Sequence, residues 1–245
     1  MVRFVILATP RCGSNWLCTL LDSHPEILCH HEIFNPGGIL YSLSCRGGEL
    51  DALGSVSERD RDPVGFLERV WGEDRGHPVL GFKLNLGQSE AVLRHVLADP
   101  GVRKIVLKRA NRIKAYVSES IAEATGEWES YPGMPVGGGE HRVEVDVEAL
   151  RGHAERNRRF YLEIEEALAV SGQDWLELTY ERLARDEERR RALAFLGVAP
   201  PAAGLREATR KQNPRDLRRT VANYDRLERL LRGTDLEADL KEQNA

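Results

Sequence analysis

The chain has 245 residues, 41% of them hydrophobic and 30% charged, with a formal net charge of −4. That length fits one α/β domain over residues 1–245, and the acidic total excludes a dedicated nucleic-acid binder, whose basic footprint shows in the sum. The four cysteines, Cys12, Cys18, Cys29 and Cys45, form no C-x-x-C pair; neither a disulfide framework nor a metal site is expected, and a reduced, cytoplasmic setting is.

Val2–Ala8 (VRFVILA) reads as a buried strand, too short for a signal peptide or a membrane span. A polar turn, Arg11–Asn15, leads into an apolar helical pattern at Trp16, Leu17, Leu20 and Leu21. Ile27–Cys29 is a second short strand before the loop His30–Gly38. Tyr41–Asp62 is polar without clear period and reads as a surface excursion, and Pro63 opens a helix running to Trp71. Val79–Leu84 (strand), Ser89–Leu97 (helix), Val102–Leu107 (strand) and Asn111–Ala124 (helix) continue the alternation, which predicts a parallel sheet covered on both faces. Glu127–Arg142, with two prolines and three consecutive glycines, predicts a mobile loop. Val147–Val170 reads as one long helix and Trp175–Leu178 as a strand. Two helices are expected at about Arg182–Asp186 and Glu187–Leu196, and Pro200-Pro201 breaks the chain before a helical C-terminal part.

The run Thr9-Pro10-Arg11-Cys12-Gly13-Ser14-Asn15-Trp16-Leu17, between a strand and a helix, has the chemistry of an anion cradle. First-turn N–H groups have no intrahelical partner, and the helix dipole adds positive potential there. Gly13 lets the backbone approach an oxyanion, Ser14 can cap the helix or donate to a ligand, and Arg11 adds fixed charge. The same residues also serve as plain caps and a solvated cation. No G-x-x-x-x-G-K-[ST] run is present, which counts against a Walker-type nucleotide kinase. No cysteine is followed six positions later by arginine, which counts against a tyrosine-phosphatase loop. Arg109, just past the strand Val102–Leu107, and Ser118, on the next helix, form a second constellation where ligands bind in open α/β sheets.

At this point the chain resembles the PAPS-dependent sulfotransferases, in particular the bacterial group that includes the trehalose and nodulation-factor sulfotransferases; PAPS is 3′-phosphoadenosine 5′-phosphosulfate. T-P-R-C-G-S-N-W-L, H-E-I-F-N-P, G-F-K-L, L-K-R-A-N-R-I-K-A-Y-V-S, R-K-Q-N-P and V-A-N-Y-D follow one another in family order. The resemblance implies a P-loop-like α/β fold with a helical C-terminal part. It also implies PAPS as donor and PAP as product without a metal, a hydroxyl-bearing carbohydrate, lipid or other small acceptor, and a homodimer. Carried over by position, Arg11, Cys12, Gly13, Ser14 and Asn15 resemble the 5′-phosphosulfate loop. Arg109 and Ser118 resemble the 3′-phosphate pair, and Tyr180, Arg210 and Lys211 resemble nucleotide contacts. The last two lack the glycine that follows them in cytosolic eukaryotic members.

The acceptor hydroxyl needs a base. Glu32 stands where the resemblance puts the glutamate base, suited to the task if burial raises its pKa; His31 and His30 are rivals, since histidine titrates near neutrality. Lys83 interrupts an apolar strand and, given the resemblance, is expected to face the anion site. Two other readings stay open: a P-loop-like nucleotide kinase, and a nucleotide-binding protein without catalysis.

Overall fold

A computed structural model describes residues 1–45, 50–129, 131, 141–207, 209, 214 and 216–241 of the chain. Five strands, β1 (Val2–Ala8), β2 (Ile27–His30), β3 (Val79–Asn85), β4 (Val102–Lys108) and β5 (Trp175–Thr179), form one sheet in the order β2-β3-β1-β4-β5. Every pairing is parallel. β1 is therefore central, and the order reverses about it, which places a ligand crevice at the carboxyl ends of the strands.

The strands alternate into two apolar layers, as period-two side chains must. Val5 and Leu7 of β1, with Leu80, Phe82 and Leu84 of β3, pack against α3 (Pro63–Trp71), α4 (Glu90–Ala98) and α6 (Val147–Ser171). Phe4, Ile6 and Ala8 face α1 (Ser14–Asp22) and α7 (Asp186–Leu196) on the other side. A third cluster joins α5 (Arg112–Thr125) to α8 (Leu217–Thr220) and α9 (Tyr224–Leu231) through Ile113, Val117, Leu217, Leu227 and Leu231. This is the helical C-terminal part, and with the doubly covered parallel sheet it gives the P-loop-like α/β architecture.

Two expectations are corrected. Tyr41–Asp62 is a surface excursion only in part: Ala52, Ser55, Ser57, Glu58 and 60–62 are exposed, but Tyr41, Ser42, Cys45 and Leu50 are buried, and α2 (Val56–Arg61) carries a buried Arg59. Its period is hidden because 3₁₀ turns at Leu43–Cys45 and Asp51–Leu53 interrupt it. The two helices expected at 182–196 are a 3₁₀ turn, Tyr180–Arg182, followed by the single helix α7. Of the expected mobile loop 127–142, residues 130 and 132–140 lie outside the described residues. Among the described residues, no helix is long and apolar enough to cross a membrane.

Candidate active site

The turn between β1 and α1 is built from two left-handed residues on either side of Cys12: Arg11 at φ 60° and Gly13 at φ 90°. A non-glycine residue at positive φ is uncommon, and alternating backbone of this kind turns consecutive N–H groups into a concave anion nest. Gly13 itself is the N-cap, without any side-chain cap bond. Ser14 is thus not the cap that the residue pattern allowed: it is the first helical residue, because the turn requires a left-handed conformation at the cap position, where glycine fits. Gly13, having no side chain, offers the α1 first-turn N–H groups no capping acceptor of its own.

Space at Gly13 is closed by Tyr180. A Cβ there would lie 2.2 Å from Tyr180 Cδ2, so the ring rests directly on the turn. The same ring meets Trp16 edge-on at 5.8 Å between centroids, and the Arg109 guanidinium sits 4.8 Å from its centre.

Arg109 and Ser118 converge on Arg11 from the other side. Arg109 Nη1 donates to the Arg11 carbonyl at 2.9 Å, and Arg11 Nε donates to Ser118 Oγ at 3.0 Å. Arg11 Nη1 also donates to the Trp128 carbonyl at 2.5 Å. Arg109 Nε is buried and has no hydrogen-bond partner among the described residues, an arrangement that asks for an acceptor. Both guanidinium pKa values are lowered, Arg109's first by burial and Arg11's first by burial and then by Arg109's charge. Two arginines held this close favour an anion between them.

Lys83, buried near the end of β3, sends Nζ to the same turn: it donates to Asn15 Oδ1 and, at 3.4 Å, to Ser14 Oγ. The ammonium also pairs with Glu32 Oε1 at 2.7 Å. Glu32 Oε2 accepts from Asn35 Nδ2 at 2.7 Å and from Gln88 Nε2 at 2.5 Å. Burial pushes the Glu32 carboxyl up, but the Lys83 charge and the three hydrogen bonds outweigh it and leave the pKa below its ordinary value. The condition that burial raise this pKa is therefore not met: desolvation is the largest single influence, yet the opposing contributions together exceed it.

The rival bases are more enclosed. His30 and His31 are both wholly buried, whereas the Glu32 side chain stays 14% exposed. His30 Nδ1 accepts from Ser42 N at 3.2 Å, and burial, then Arg75 and His77, lowers its pKa to about 3. His31 Nδ1 lies 3.3 Å from the Tyr131 hydroxyl. The Cys12 side chain is buried, with its thiol pushed up by burial against the lowering field of Lys83, so Cys12 offers the turn its backbone. Arg210 and Lys211 lie outside the described residues. The structure thus gathers Arg11, Gly13, Ser14, Asn15, Lys83, Glu32, Arg109, Ser118 and Tyr180 about one turn. Asn35 and Gln88, which hold Glu32, were not among the sequence candidates; the N-P after Phe34 and the turn after β3 were the only signals for them. No group of three or more His, Cys, Asp or Glu among the described residues could hold a metal ion.

Fold and turn together describe a parallel α/β sheet whose P-loop-like turn holds Arg11 and is met by Arg109 from the end of β4 and by Lys83 from β3, and the relatives of the chain support a sulfotransferase enzyme. The chain is similar to nodulation protein H of Rhizobium meliloti (strain 1021), with 27% identity over 91% of this chain and 89% of that protein. It is likewise similar to nodulation protein H of Rhizobium tropici, at 25% identity over 94% and 89%. A solved sulfotransferase from Alicyclobacillus acidocaldarius aligns with 99% of this chain and 97% of its own, at 20% identity and a TM-score of 0.48. No protein-family model matches the chain.

Proposed function

We propose that the chain transfers the sulfuryl group of PAPS to a hydroxyl of a carbohydrate, lipid or other small acceptor, with Glu32 as general base. The observation that carries this reading is the convergence of Arg11, Arg109 and Ser118, from three separate stretches of chain, on one glycine-containing turn.

The 5′-phosphosulfate fits the turn, where the first-turn amides of α1, Arg11 and Lys83 supply donors. As the sulfuryl group leaves, charge builds on the 5′-phosphate, and fixed donors stabilise it without reorganising. Arg109, whose Nε has no partner among the described residues, and Ser118 suit the 3′-phosphate. Arginine stays protonated, so Arg11 stabilises the leaving phosphate as a hydrogen-bond donor and not as an acid. Glu32 is ionised at neutral pH. A carboxylate offers about four lone-pair sites, and the three donors that reach Glu32 among the described residues occupy three of them, the fourth suiting an acceptor O–H. A lowered pKa weakens the base, but it also means the carboxylate is never lost to protonation at working pH.

Calorimetric titration with PAP, using AMP as the control ligand, tests the donor reading: micromolar PAP binding with weak AMP binding supports it, and no PAP binding overturns it. Glu32→Ala separates an enzyme from a binding-only protein, because lost transfer with retained PAP affinity requires catalysis. Transfer that survives EDTA counts against the kinase reading, since that chemistry needs a metal to neutralise charge. The homodimer is tested by light scattering.

A further inference from the structure

Arg59 of α2 is buried to 1% exposure in a segment whose sequence, S-E-R-D-R-D, reads as solvated. Burying an arginine is costly unless its donors are used. Here they are: Nη1 converges on the carbonyls of Ile33 at 3.1 Å, Asn35 at 2.8 Å and Gly38 at 2.9 Å. Nε and Nη2 both reach Asp60 Oδ1 at 2.8 Å.

Those three carbonyls belong to the loop that leaves Glu32. The loop's own backbone bonds are few: Asn35 N and Leu40 N donate to the Glu32 carbonyl, and Gly38 N to the Asn35 carbonyl. Ile33 and Phe34 pin it to the core below. Asn35 Oδ1 accepts from Gly37 N at 2.8 Å, which fixes the amide so that Nδ2 faces Glu32 Oε2. A continuous path therefore runs from the Arg59 guanidinium, through the Asn35 backbone and amide, to the carboxylate. The planar fork holds the three carbonyls with Nη1 while Nε and Nη2 hold Asp60; a lysine ammonium in the same place is a point donor without that second arm.

We propose that Arg59 is a positioning residue for the base, holding the loop 33–38 so that Asn35 orients Glu32. The inference rests on the reading of Glu32 as base. The test measures transfer of label from [³⁵S]PAPS to trehalose, or release of sulfate to water where trehalose takes no label, alongside PAP affinity. Arg59→Lys is expected to lower kcat by at least about tenfold, since small misplacements of catalytic groups cost up to about 10², with PAP Kd changed less than about twofold. In a Glu32→Gln background the same change is expected to be nearly silent, because a residue that acts through another has nothing left to act on. An undiminished loss in that background, a wild-type kcat in Arg59→Lys, or a parallel loss of PAP affinity overturns the inference while the base reading stands on Glu32→Gln alone. Full activity in Glu32→Gln overturns the base reading and the inference with it. Should Arg59→Lys not fold, Asn35→Ala interrupts the same path at its outer end; its loss must likewise vanish in the Glu32→Gln background, and persistence there overturns the inference.

Discussion

Lys83 Nζ stands between two acceptors with different tasks, Glu32 Oε1 at 2.7 Å and the side chain of Asn15 in the anion turn. One ammonium is therefore shared by the carboxylate and the loop, and its removal is felt by both.

Lys83→Met should move the acid limb of the pH–rate profile upward. With Lys83 present, its charge and the hydrogen bonds hold the Glu32 carboxyl below the ordinary value of 4.5; without it, burial pushes the group up. The acid limb of the wild type is thus expected to have its midpoint below about pH 4.5, and that of the variant at a higher pH. Rates measured between pH 4 and 8 check this, and an unmoved limb contradicts the pairing.

Arg109→Ala should weaken PAP by about 10- to 100-fold, the equivalent of the 1.5–3 kcal/mol typical of hydrogen bonds to charged groups. AMP, which has no 3′-phosphate, should change less than about twofold. Titration calorimetry of both ligands on both proteins decides it; equal losses for PAP and AMP point away from a 3′-phosphate contact.

Gly13→Ala should fail on two counts. The new methyl meets Tyr180 Cδ2 at 2.2 Å, and φ stays at 90°, a conformation that costs a side chain about 1–3 kcal/mol. The variant is expected to lose thermal stability and PAP affinity together. Gly13→Ala with Tyr180→Ala recovers room but not the strain, so only part of the stability should return; complete recovery assigns the whole defect to the clash.

His30 should make the fold sensitive to mild acid. Its pKa falls from an ordinary 6.5 to about 3 on folding, chiefly through burial. The unfolded chain therefore takes up a proton that the folded one refuses, and this contribution to stability is present above pH 6.5 and lost as the pH falls toward 3. One such group gives a slope of at most about 1.4 kcal/mol per pH unit. Denaturant midpoints across that window should decline more steeply for the wild type than for His30→Asn.

The strands were legible because each is a short apolar run whose length and β-branched content leave few alternatives, and β1 and α3 begin and end at the residues expected. The turn between β1 and α1 was legible because Gly13 sits between a strand and a helix. What the sequence concealed depends on contacts distant along the chain. The direction of the Glu32 pKa is set by Lys83 and Gln88, more than fifty positions away, and by Asn35 on its own loop. Arg59 looked solvated because its acceptors are backbone carbonyls, which residue type does not encode. Ser14 looked like a cap because cap preference is a local rule, and the conformation of Gly13 overrides it.

The strand order carries a consequence of its own. The residues about the anion turn lie on or just after β1, β3, β4 and β5, whereas Glu32 and Asn35 follow the edge strand β2, whose only strand neighbour among the described residues is β3. An edge strand and the loop after it can be exchanged without re-registering the four strands beside it. The loop that carries Glu32 and the turn that carries Arg11 thus sit on separable parts of one sheet, linked through the side chains of Lys83 and Gln88, so that the margin of the molecule can be rewritten while its centre is inherited unchanged.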